Sequence, residues 1–540
     1  MKAASSTEME VSDRYNSSHL CVPSPDGAHI AGINGSRLHI RATGNLEVVR
    51  SIQTPPDHDP KSQTIRWAPP SSRETISDRF LLADATNVRA YDIRDTKWCA
   101  HMNNGSGGAG KIVNAEFGTT ENEVLLFSDF CARMTVWSLI TGRSVEIKDP
   151  KFPSTKGFGL RPENGVLALL SRPGPQDVLT LHAPNSHAVI KTVQLPTADA
   201  QGLKWSPDGW WLAVWDAPSV GFKVHIFTAD GHLYREWNGE AVDGIVGLGV
   251  KSLEWSPRRD FLAIGGFDRR VTLLSTRTFS AAVFLDHTPT IQLAVGDVWQ
   301  EQVSAISERR YTIAPQPVSP PKAPSPSNDA SPKSGISIIA FNAEGTFVAT
   351  RDDSTPTTVW LWDLTRLAPQ TVLIQHSPVK HLSWHPTKSH LLLIQCTHDD
   401  ATVYVWDSLK AAPEALSIPF DRPVNRLEAR WLSTLCDKKP CIVLGDATGY
   451  VLAWPEGRDA ILRFEHPGTP GVGDESEDSL YEILTGKKSV PDGSDTIALA
   501  DDAWDEDESL SLDDTFHGRG NTGSKERHDL STTSSLAECF

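Results

Sequence analysis

Long apolar runs and paired cysteines are missing from this sequence of 540 residues. No apolar stretch approaches the roughly 18 residues that a membrane-spanning helix needs, and the polar residues 1–18 do not resemble a secretory signal. The seven cysteines never form a Cys-x-x-Cys pair: Cys21, Cys99, Cys131, Cys396, Cys436, Cys441 and Cys539. We therefore expect a soluble intracellular protein with reduced thiols, without a disulfide framework, a zinc module or a membrane segment.

Basic residues are also few. The chain has 51 Lys and Arg against 68 Asp and Glu, a formal charge of −17. Residues 474–514 hold 15 acidic residues and two lysines, a net charge of −13, which leaves −4 for the other 499 positions. Because nucleic-acid binders neutralise phosphates with Lys and Arg, direct nucleic-acid binding is not expected unless the nearly neutral body has a basic face.

Tyrosine is scarce, with 7 Tyr against 17 Trp. This excess of the larger aromatic predicts one structural position that is used many times, and the sequence contains internal repeats in which Trp recurs. In the two clearest units, Gly202-Leu-Lys-Trp205-Ser-Pro-Asp-Gly209 precedes Trp211-Leu-Ala-Val214, and Lys251-Ser-Leu-Glu-Trp255-Ser-Pro257 precedes Phe261-Leu-Ala-Ile264.

The same pattern recurs more loosely and gives nine units in all. The other seven lie at residues 23–30, 65–92, 115–137, 158–170, 338–363, 382–407 and 429–454. Equivalent anchors are 43 to 50 residues apart, except that 86 residues separate Trp255 from Phe341. Strands in which apolar residues alternate, followed by a Ser-Pro-Asp-Gly turn, predict short antiparallel strands at the period of WD40-type propeller blades.

We therefore predict an all-β fold, a WD40-type β-propeller with one large ring of about nine divergent blades. A ring of seven blades with irregular flanks is the second choice. The Trp residues at repeat positions, and the Asp of two Trp-Asp strand ends, are predicted to be structural rather than catalytic: Trp67, Trp137, Trp205, Trp255, Trp362, Asp363, Trp384, Trp406, Asp407, Trp431 and Trp454.

Changes in composition predict the domain boundaries. Residues 1–10 are expected to be a disordered N-terminus, and residues 11–285 and 335–456 the two parts of the propeller. Between them, residues 286–334 include a Pro/Ser-rich stretch that predicts a mobile loop between blades. Residues 457–540 are polar and mostly acidic, which predicts a disordered tail.

Motifs that could carry chemistry have weak support. Gly105-Ser-Gly-Gly-Ala-Gly110-Lys111 matches the spacing of a phosphate loop, but Ile112 stands where Ser or Thr would hold magnesium, so an inter-strand loop is favoured. His376, His381, His385 and His390 lack a cysteine partner at suitable spacing and are expected to be surface or turn residues. No serine-hydrolase elbow or H-E-x-x-H helix occurs. We expect no enzyme, no cofactor and no metal site.

Two features suggest regulation instead. Ser319-Pro320-Pro321-Lys322 resembles a cyclin-dependent kinase site, and Ser325 and Ser331 also precede proline, so phosphorylation of these three serines is a hypothesis. Trp504 stands among acidic residues and resembles a tryptophan-acidic linear motif. A solubilising tail with an incidental Trp is the alternative interpretation.

Three stretches carry a resemblance to a known family. They are Leu212-Ala-Val-Trp-Asp216, the segment from Gly249 to Asp268, and Phe347-Val-Ala-Thr-Arg-Asp-Asp353 with Val359-Trp-Leu-Trp-Asp363. Through these three stretches, the repeat region resembles the WD-repeat proteins of centrosomes and spindle pole bodies. This family is known as the WD repeat-containing, antisense-to-TP-seventy-three family, and the resemblance is in particular to a fungal member. The acidic tail departs from the family pattern.

The resemblance implies a non-catalytic scaffold in the cytoplasm and cytoskeleton, at a spindle pole body or other microtubule-organising centre. It implies two protein partners, a coiled-coil anchor and a minus-end-directed motor of the kinesin-fourteen class, which tether microtubule minus ends and support mitotic spindle assembly. The residues alone lead only to a rigid propeller that presents loops to protein partners. The alternative is a large propeller of the translation-initiation type that binds ribosomal components.

Overall fold

The computed structural model describes residues 9–458 apart from 19–20, 58–62, 70–77, 104–109, 240–247, 306–307, 324–333, 399, 411, 421–426 and 434–437. The described strands form nine separate sheets, each made mainly of a four-stranded antiparallel meander. The nine repeat units correspond to these nine sheets in order. The prediction of a nine-bladed propeller is therefore confirmed, and the alternative of seven blades with flanks is wrong.

The chain begins with two short strands, β1 (Glu10–Val11) and β2 (Tyr15–Asn16). Blades 1 to 3 then follow as β3–β6 (Cys21–Pro23, His29–Asn34, Arg37–Ala42, Val48–Gln53), β7–β10 (Thr64–Trp67, Arg79–Ala83, Asn87–Asp92, Cys99–Asn103) and β11–β14 (Ile112–Phe117, Glu123–Ser128, Arg133–Ser138, Ser144–Lys148). Blades 4 to 6 are β15–β18 (Phe158–Leu160, Leu167–Ser171, Val178–His182, Val189–Gln194), β19–β22 (Gly202–Trp205, Trp211–Trp215, Val224–Thr228, Leu233–Trp237) and β23–β26 (Val250–Trp255, Phe261–Gly266, Arg270–Ser275, Ala281–Asp286).

An additional hairpin precedes blade 7, formed by β27 (Asp297–Val303) and β28 (Arg309–Ile313). Blades 7 to 9 are β29–β32 (Ile336–Phe341, Phe347–Asp352, Thr358–Asp363, Ala368–Ile374), β33–β36 (Val379–Trp384, Leu391–Cys396, Thr402–Asp407, Glu414–Ser417) and β37–β39 (Glu428–Trp431, Ile442–Gly445, Gly449–Trp454). Two short 3-10 helices lie at Asp129–Cys131 and Pro218–Val220.

The core is divided among the contacts between blades. The described residues contain nine apolar clusters, and each joins two consecutive blades. One of them packs Ile30 of blade 1 against Leu432, Tyr450 and Leu452 of blade 9. Because a single meander cannot bury both of its faces, packing against two neighbours supplies the missing cover. The contact between blades 1 and 9 closes the ring.

The N-terminal strands take part in that closure. Both β1 and β2 pair antiparallel with β39, the last strand of blade 9. In addition, the Arg14 side chain lies 2.7 Å from the carboxylate of Asp446 in blade 9. Hydrogen bonds between the two ends of the described chain therefore hold the ring shut, and residue 10, expected in the disordered N-terminus, lies in a strand.

In five blades, the turn after the first strand is held by the residue that follows the strand's last position. Ser24, Ser206 and Ser256 each accept a main-chain hydrogen bond on Oγ, and the side chains of Asn342 and His385 accept two each in the same place. All five residues are buried. The Ser-Pro signature of the repeat is thus a capped turn, because short polar side chains satisfy main-chain groups that the strand leaves free.

The segment at residues 286–334 differs from the loop that its composition predicts. Strand β27 pairs in parallel with β32, the outer strand of blade 7, and β28 pairs antiparallel with β27, so blade 7 has six strands. Ile291 and Val318 also form an isolated bridge. Most prolines of this segment follow β28 in the sequence, so its proline-rich composition did not describe the part that forms β27 and β28. The tail from residue 459 onward lies outside the described residues.

Candidate functional site

Five of the predicted repeat tryptophans end a first strand and reach across to the preceding blade. Each indole Nε1 donates to a main-chain carbonyl of that blade at 2.8–3.1 Å. The pairs are Trp67 to Val22, Trp205 to Gly159, Trp255 to Lys204, Trp384 to Ala340 and Trp431 to Ser383. These side chains therefore link blades, and their buried rings are not available to a partner.

The other predicted Trp positions lie in third strands. Trp362, Trp406 and Trp454 are buried, and Trp137 is half-buried. The two predicted Asp residues end such strands and accept main-chain hydrogen bonds from the following turn, Asp363 from Thr365 at 2.8 Å and Asp407 from Leu409 at 2.9 Å.

One third-strand tryptophan belongs to a buried polar chain that the sequence did not reveal. Trp362 Nε1 donates to Thr350 Oγ1 at 2.8 Å, and His287 Nε2 lies 2.8 Å from the same oxygen. Burial lowers the pKa of His287 from 6.5 to about 4. The neutral imidazole of His287 therefore connects the loop before β27 to Thr350 in blade 7.

The other candidate residues are dispersed. Ser319 is exposed, and its hydroxyl lies 3.1 Å from Thr290 Oγ1. Ser325, Ser331 and Trp504 lie outside the described residues. His376 and His381 are exposed, His390 is half-buried, and His385 is buried in the turn that follows β33.

Within the described ranges, no group of three or more His, Cys, Asp or Glu side chains could hold a metal ion. In the segment that matches the spacing of a phosphate loop, only Gly110 and Lys111 are among the residues that the structure describes. The chain that follows them forms strand β11 rather than a helix. In the part of the chain that the structure describes, no helix has the length and apolar character to cross a bilayer.

An apolar groove lies between blades 4 and 5, and it is the strongest candidate for a functional site. Its volume is about 760 Å³. The floor consists of the side chains of Val166, Leu181, Ile190, Trp210, Trp211 and Ala229. Arg161, Lys191, Thr228 and Asp230 form a polar rim. All of these residues come from the turns, or the strand ends beside them, that join first to second and third to fourth strands, so the groove opens on one face of the ring.

The walls of the groove are fixed by local hydrogen bonds. Ser206 Oγ accepts from the main chain of Trp211 at 3.0 Å, and Asp208 accepts from that of Trp210 at 3.1 Å. Arg161 of blade 4 donates through Nε to the carbonyl of Gly209 at 2.7 Å, which ties the two blades together. The Trp211 ring packs against Tyr234 at a centroid distance of 4.7 Å. With these groups held, Trp210 projects from a rigid turn.

Apolar side chains around the groove are unusually exposed. Trp210 is 67% exposed, and Ile190 and Val189 are each 58% exposed. With Leu233 and Tyr234 they make up five of the 17 exposed large apolar side chains among the described residues. Clustered apolar exposure of this kind marks interaction surfaces rather than ordinary protein surface.

The chemistry of the groove suits binding rather than catalysis. The rim has two cations and one carboxylate, and the Thr228 hydroxyl donates to that carboxylate of Asp230, which lowers its pKa. Sequence reasoning assigned Trp211 to a strand and did not single out Trp210. The available signal was the position of Trp210, which directly follows the Ser-Pro-Asp-Gly turn and precedes the strand that begins at Trp211.

Comparisons with known proteins agree with the fold. A family model described as "WD domain, G-beta repeat" matches residues 367–407, from the turn before β32 to the end of β35. The WD repeat-containing protein WRAP73 of Mus musculus is 29% identical over 413 residues, which cover 72% of this chain and 84% of that protein. An uncharacterized WD repeat-containing protein of Schizosaccharomyces pombe is 30% identical over 348 residues, covering 62% of this chain and 69% of that protein.

Two solved structures are similar at lower levels. A crystal structure of a eukaryotic initiation factor has a TM-score of 0.48 at 10% identity, covering 77% of this chain and 91% of that one. The C-terminal WD40 domain of Sif2 has a TM-score of 0.43 at 10% identity, covering 76% of this chain and 99% of that one.

The fold defines a WD-repeat propeller, a class of protein that implies binding to other proteins. The chain belongs to the WD-repeat family that includes the two curated relatives named above.

Proposed function

We propose that this protein is a non-catalytic scaffold of microtubule-organising centres that binds its partners through the groove between blades 4 and 5. One observation carries the proposal: a rigid groove of about 760 Å³ whose floor is apolar and whose Trp210 is 67% exposed. Such a groove accepts the apolar stripe of an amphipathic helix, while Arg161, Lys191 and Asp230 at the rim meet its polar flanks.

The identity of the partners rests on the family resemblance of the sequence. It supports a coiled-coil anchor protein of the spindle pole and a minus-end-directed kinesin of the fourteenth class, with the protein located at a spindle pole body or centrosome. A coiled-coil protein presents apolar stripes of the kind that the groove accepts. Because the microtubule surface and this chain are both acidic, contact with microtubules through partners is more favourable than direct contact.

Affinity purification of the tagged full chain from mitotic cells tests the proposal. We expect Trp210→Ala to lower the affinity for the coiled-coil partner about 30-fold, because truncating a central aromatic anchor costs about 2 kcal/mol or more. Recovery of that partner should fall accordingly. The matched control is Leu409→Ala, which removes a side chain that is 78% exposed on a turn of blade 8.

Three results would contradict the proposal. Equal recovery of the partner by both variants would remove the groove as the docking site. Recovery of ribosomal proteins alone by the wild-type chain would favour a translation factor. Absence of a fluorescently tagged chain from spindle poles in dividing cells would remove the proposed location.

A further inference from the structure

A second, smaller pocket lies where the N-terminal strands meet blades 1 and 9. Its volume is about 220 Å³. It is lined by polar and cationic side chains from three parts of the chain, with Arg14, Tyr15 and Asn16 at β2, Asn34, His39 and Arg41 in blade 1, and Tyr450 in blade 9. Drug-sized ligands need roughly 300–1,000 Å³. This pocket therefore suits a small group or the tip of a longer chain.

The charge in the pocket is positive. Arg14 and Arg41 contribute two cations, and one carboxylate, Asp446, pairs with Arg14 at 2.7 Å, which leaves a formal charge of +1. The Arg41 guanidinium lies 4.4 Å from the centroid of the Tyr15 ring and donates to the carbonyl of Leu46 at 3.0 Å. Neither of these contacts neutralises its charge. An oxyanion placed here gains both the charge and the fork geometry of an arginine.

The positive potential extends into the pocket. Burial, and then the charges of Arg41 and Arg37, lower the pKa of His39, which lines the pocket. Asn34 adds an exposed amide at the end of β4. An amide donor and cations therefore line the pocket together.

From this geometry we propose that the pocket binds a phosphoryl group, carried either by free phosphate or by a phosphorylated peptide. The bound group touches the N-terminal segment and blades 1 and 9 together, so it reinforces the closure of the ring. The site is separate from the groove between blades 4 and 5. Failure of one proposal therefore leaves the other standing.

Inorganic phosphate is the first probe, added to the full chain in a phosphate-free buffer at constant ionic strength. We expect phosphate to raise the thermal unfolding midpoint more than sodium chloride does. Asn34→Asp places a carboxylate at an exposed position of the pocket wall and is expected to weaken phosphate binding about tenfold by repulsion. Arg41→Gln is expected to weaken it at least as much.

Arg50→Gln is the matched control. Arg50 also belongs to blade 1, but it donates to the carbonyls of Asp95 and Thr96 at 3.3 and 2.9 Å and does not line the pocket. Unchanged binding in this variant supports the site. Equal losses in Arg50→Gln and Asn34→Asp, or no effect of phosphate beyond that of chloride on the wild-type chain, would overturn the proposal.

A phosphoserine peptide and its unphosphorylated form distinguish the two sources. Tighter binding of the phosphopeptide than of inorganic phosphate assigns the group to a peptide. Equal or weaker binding assigns it to the free anion. Binding of the unphosphorylated peptide with the same affinity as the phosphopeptide, unchanged by Asn34→Asp, would contradict a phosphoryl site.

Discussion

His385 occupies the turn-capping position that is serine in three other blades, and its chemistry differs from theirs. The main-chain N–H groups of Thr387 and Lys388 both point at Nδ1, at 3.2 and 3.0 Å. A protonated imidazole cannot accept these bonds, and the ring is fully buried against Trp431. Burial lowers the pKa of His385 from 6.5 to about 4. The residue holds the turn only while it is neutral.

This position makes the fold sensitive to acid. Because the folded pKa of about 4 lies below the unfolded value of 6.5, the unfolded chain takes up the proton first as pH falls. The stabilisation is therefore present above pH 6.5 and is lost between pH 6.5 and 4. We expect His385 to account for about 2 kcal/mol of the stability lost between pH 7 and pH 5.

An exchange of capping residues tests this expectation. His385→Asn keeps an acceptor in the turn, as Asn342 does in blade 7, and is expected to reduce the fall of the thermal midpoint between pH 7 and pH 5. The reciprocal Asn342→His is expected to increase that fall. Identical pH profiles for the wild-type chain and both variants would show that the capping residue does not set the acid sensitivity.

Among the structural elements, the hairpin β27–β28 shows how an insertion is anchored to the ring. The carboxylate of Glu301 on β27 is fully buried and accepts hydrogen bonds from Arg309 at 2.6 Å, Tyr404 Oη at 2.7 Å and the main chain of His376 at 2.7 Å. Tyr404 belongs to blade 8. The ion pair of the hairpin thus connects blades 7 and 8 at their outer edge, in addition to the parallel pairing with β32.

Removal of one partner of this buried pair should loosen the hairpin. We expect Arg309→Met to destabilise the hairpin by about 3–5 kcal/mol, because the Glu301 carboxylate stays buried without its cation. The double variant with Glu301→Gln should recover part of the loss, since the amide oxygen still accepts from Tyr404. Hydrogen exchange of peptides covering residues 297–313 measures the effect. A loss below 1 kcal/mol in the single variant would be inconsistent with a buried, coupled pair.

The sequence patterns predicted the blades, but they predicted neither the hairpin β27–β28 nor the groove between blades 4 and 5. The period of 43 to 50 residues and the alternation around Trp205 and Trp255 reflect local strand and turn chemistry, so they were sufficient to predict the meanders. The hairpin depends on a parallel pairing across 74 residues, between Asp297 and Thr371, for which no local pattern exists. The groove is the gap between two blades, so it depends on how neighbouring turns stand relative to each other.

The whole molecule depends on the contact between its first and last strands. Without β1 and β2, the outer edge of β39 has unpaired main-chain groups, and the ion pair between Arg14 and Asp446 is absent. Exposed edges of this kind pair with other chains. Closure by the N-terminal strands therefore protects the ring from association as well as from opening.

Truncation tests this role of the N-terminus. We expect removal of residues 1–18 to lower the thermal midpoint by several degrees and to produce higher oligomers in light scattering. Removal of residues 1–8 alone leaves the named contacts in place and serves as the control. A monomeric 1–18 deletion with an unchanged midpoint would show that the ring is closed by the apolar contact between blades 1 and 9 alone.

The same pairing can form only late in synthesis on the ribosome, because its two partners lie far apart in the sequence. The Arg14 side chain is made early, but its partner Asp446 emerges 432 residues later. At roughly 5–20 residues per second, translation leaves the N-terminal strands waiting on the order of 20–90 s for the edge they complete. During that interval blade 1 can pack against blade 2 but lacks blade 9, its other neighbour. Until residues 449–454 are synthesised, the incomplete ring therefore has strand edges that can pair with other chains.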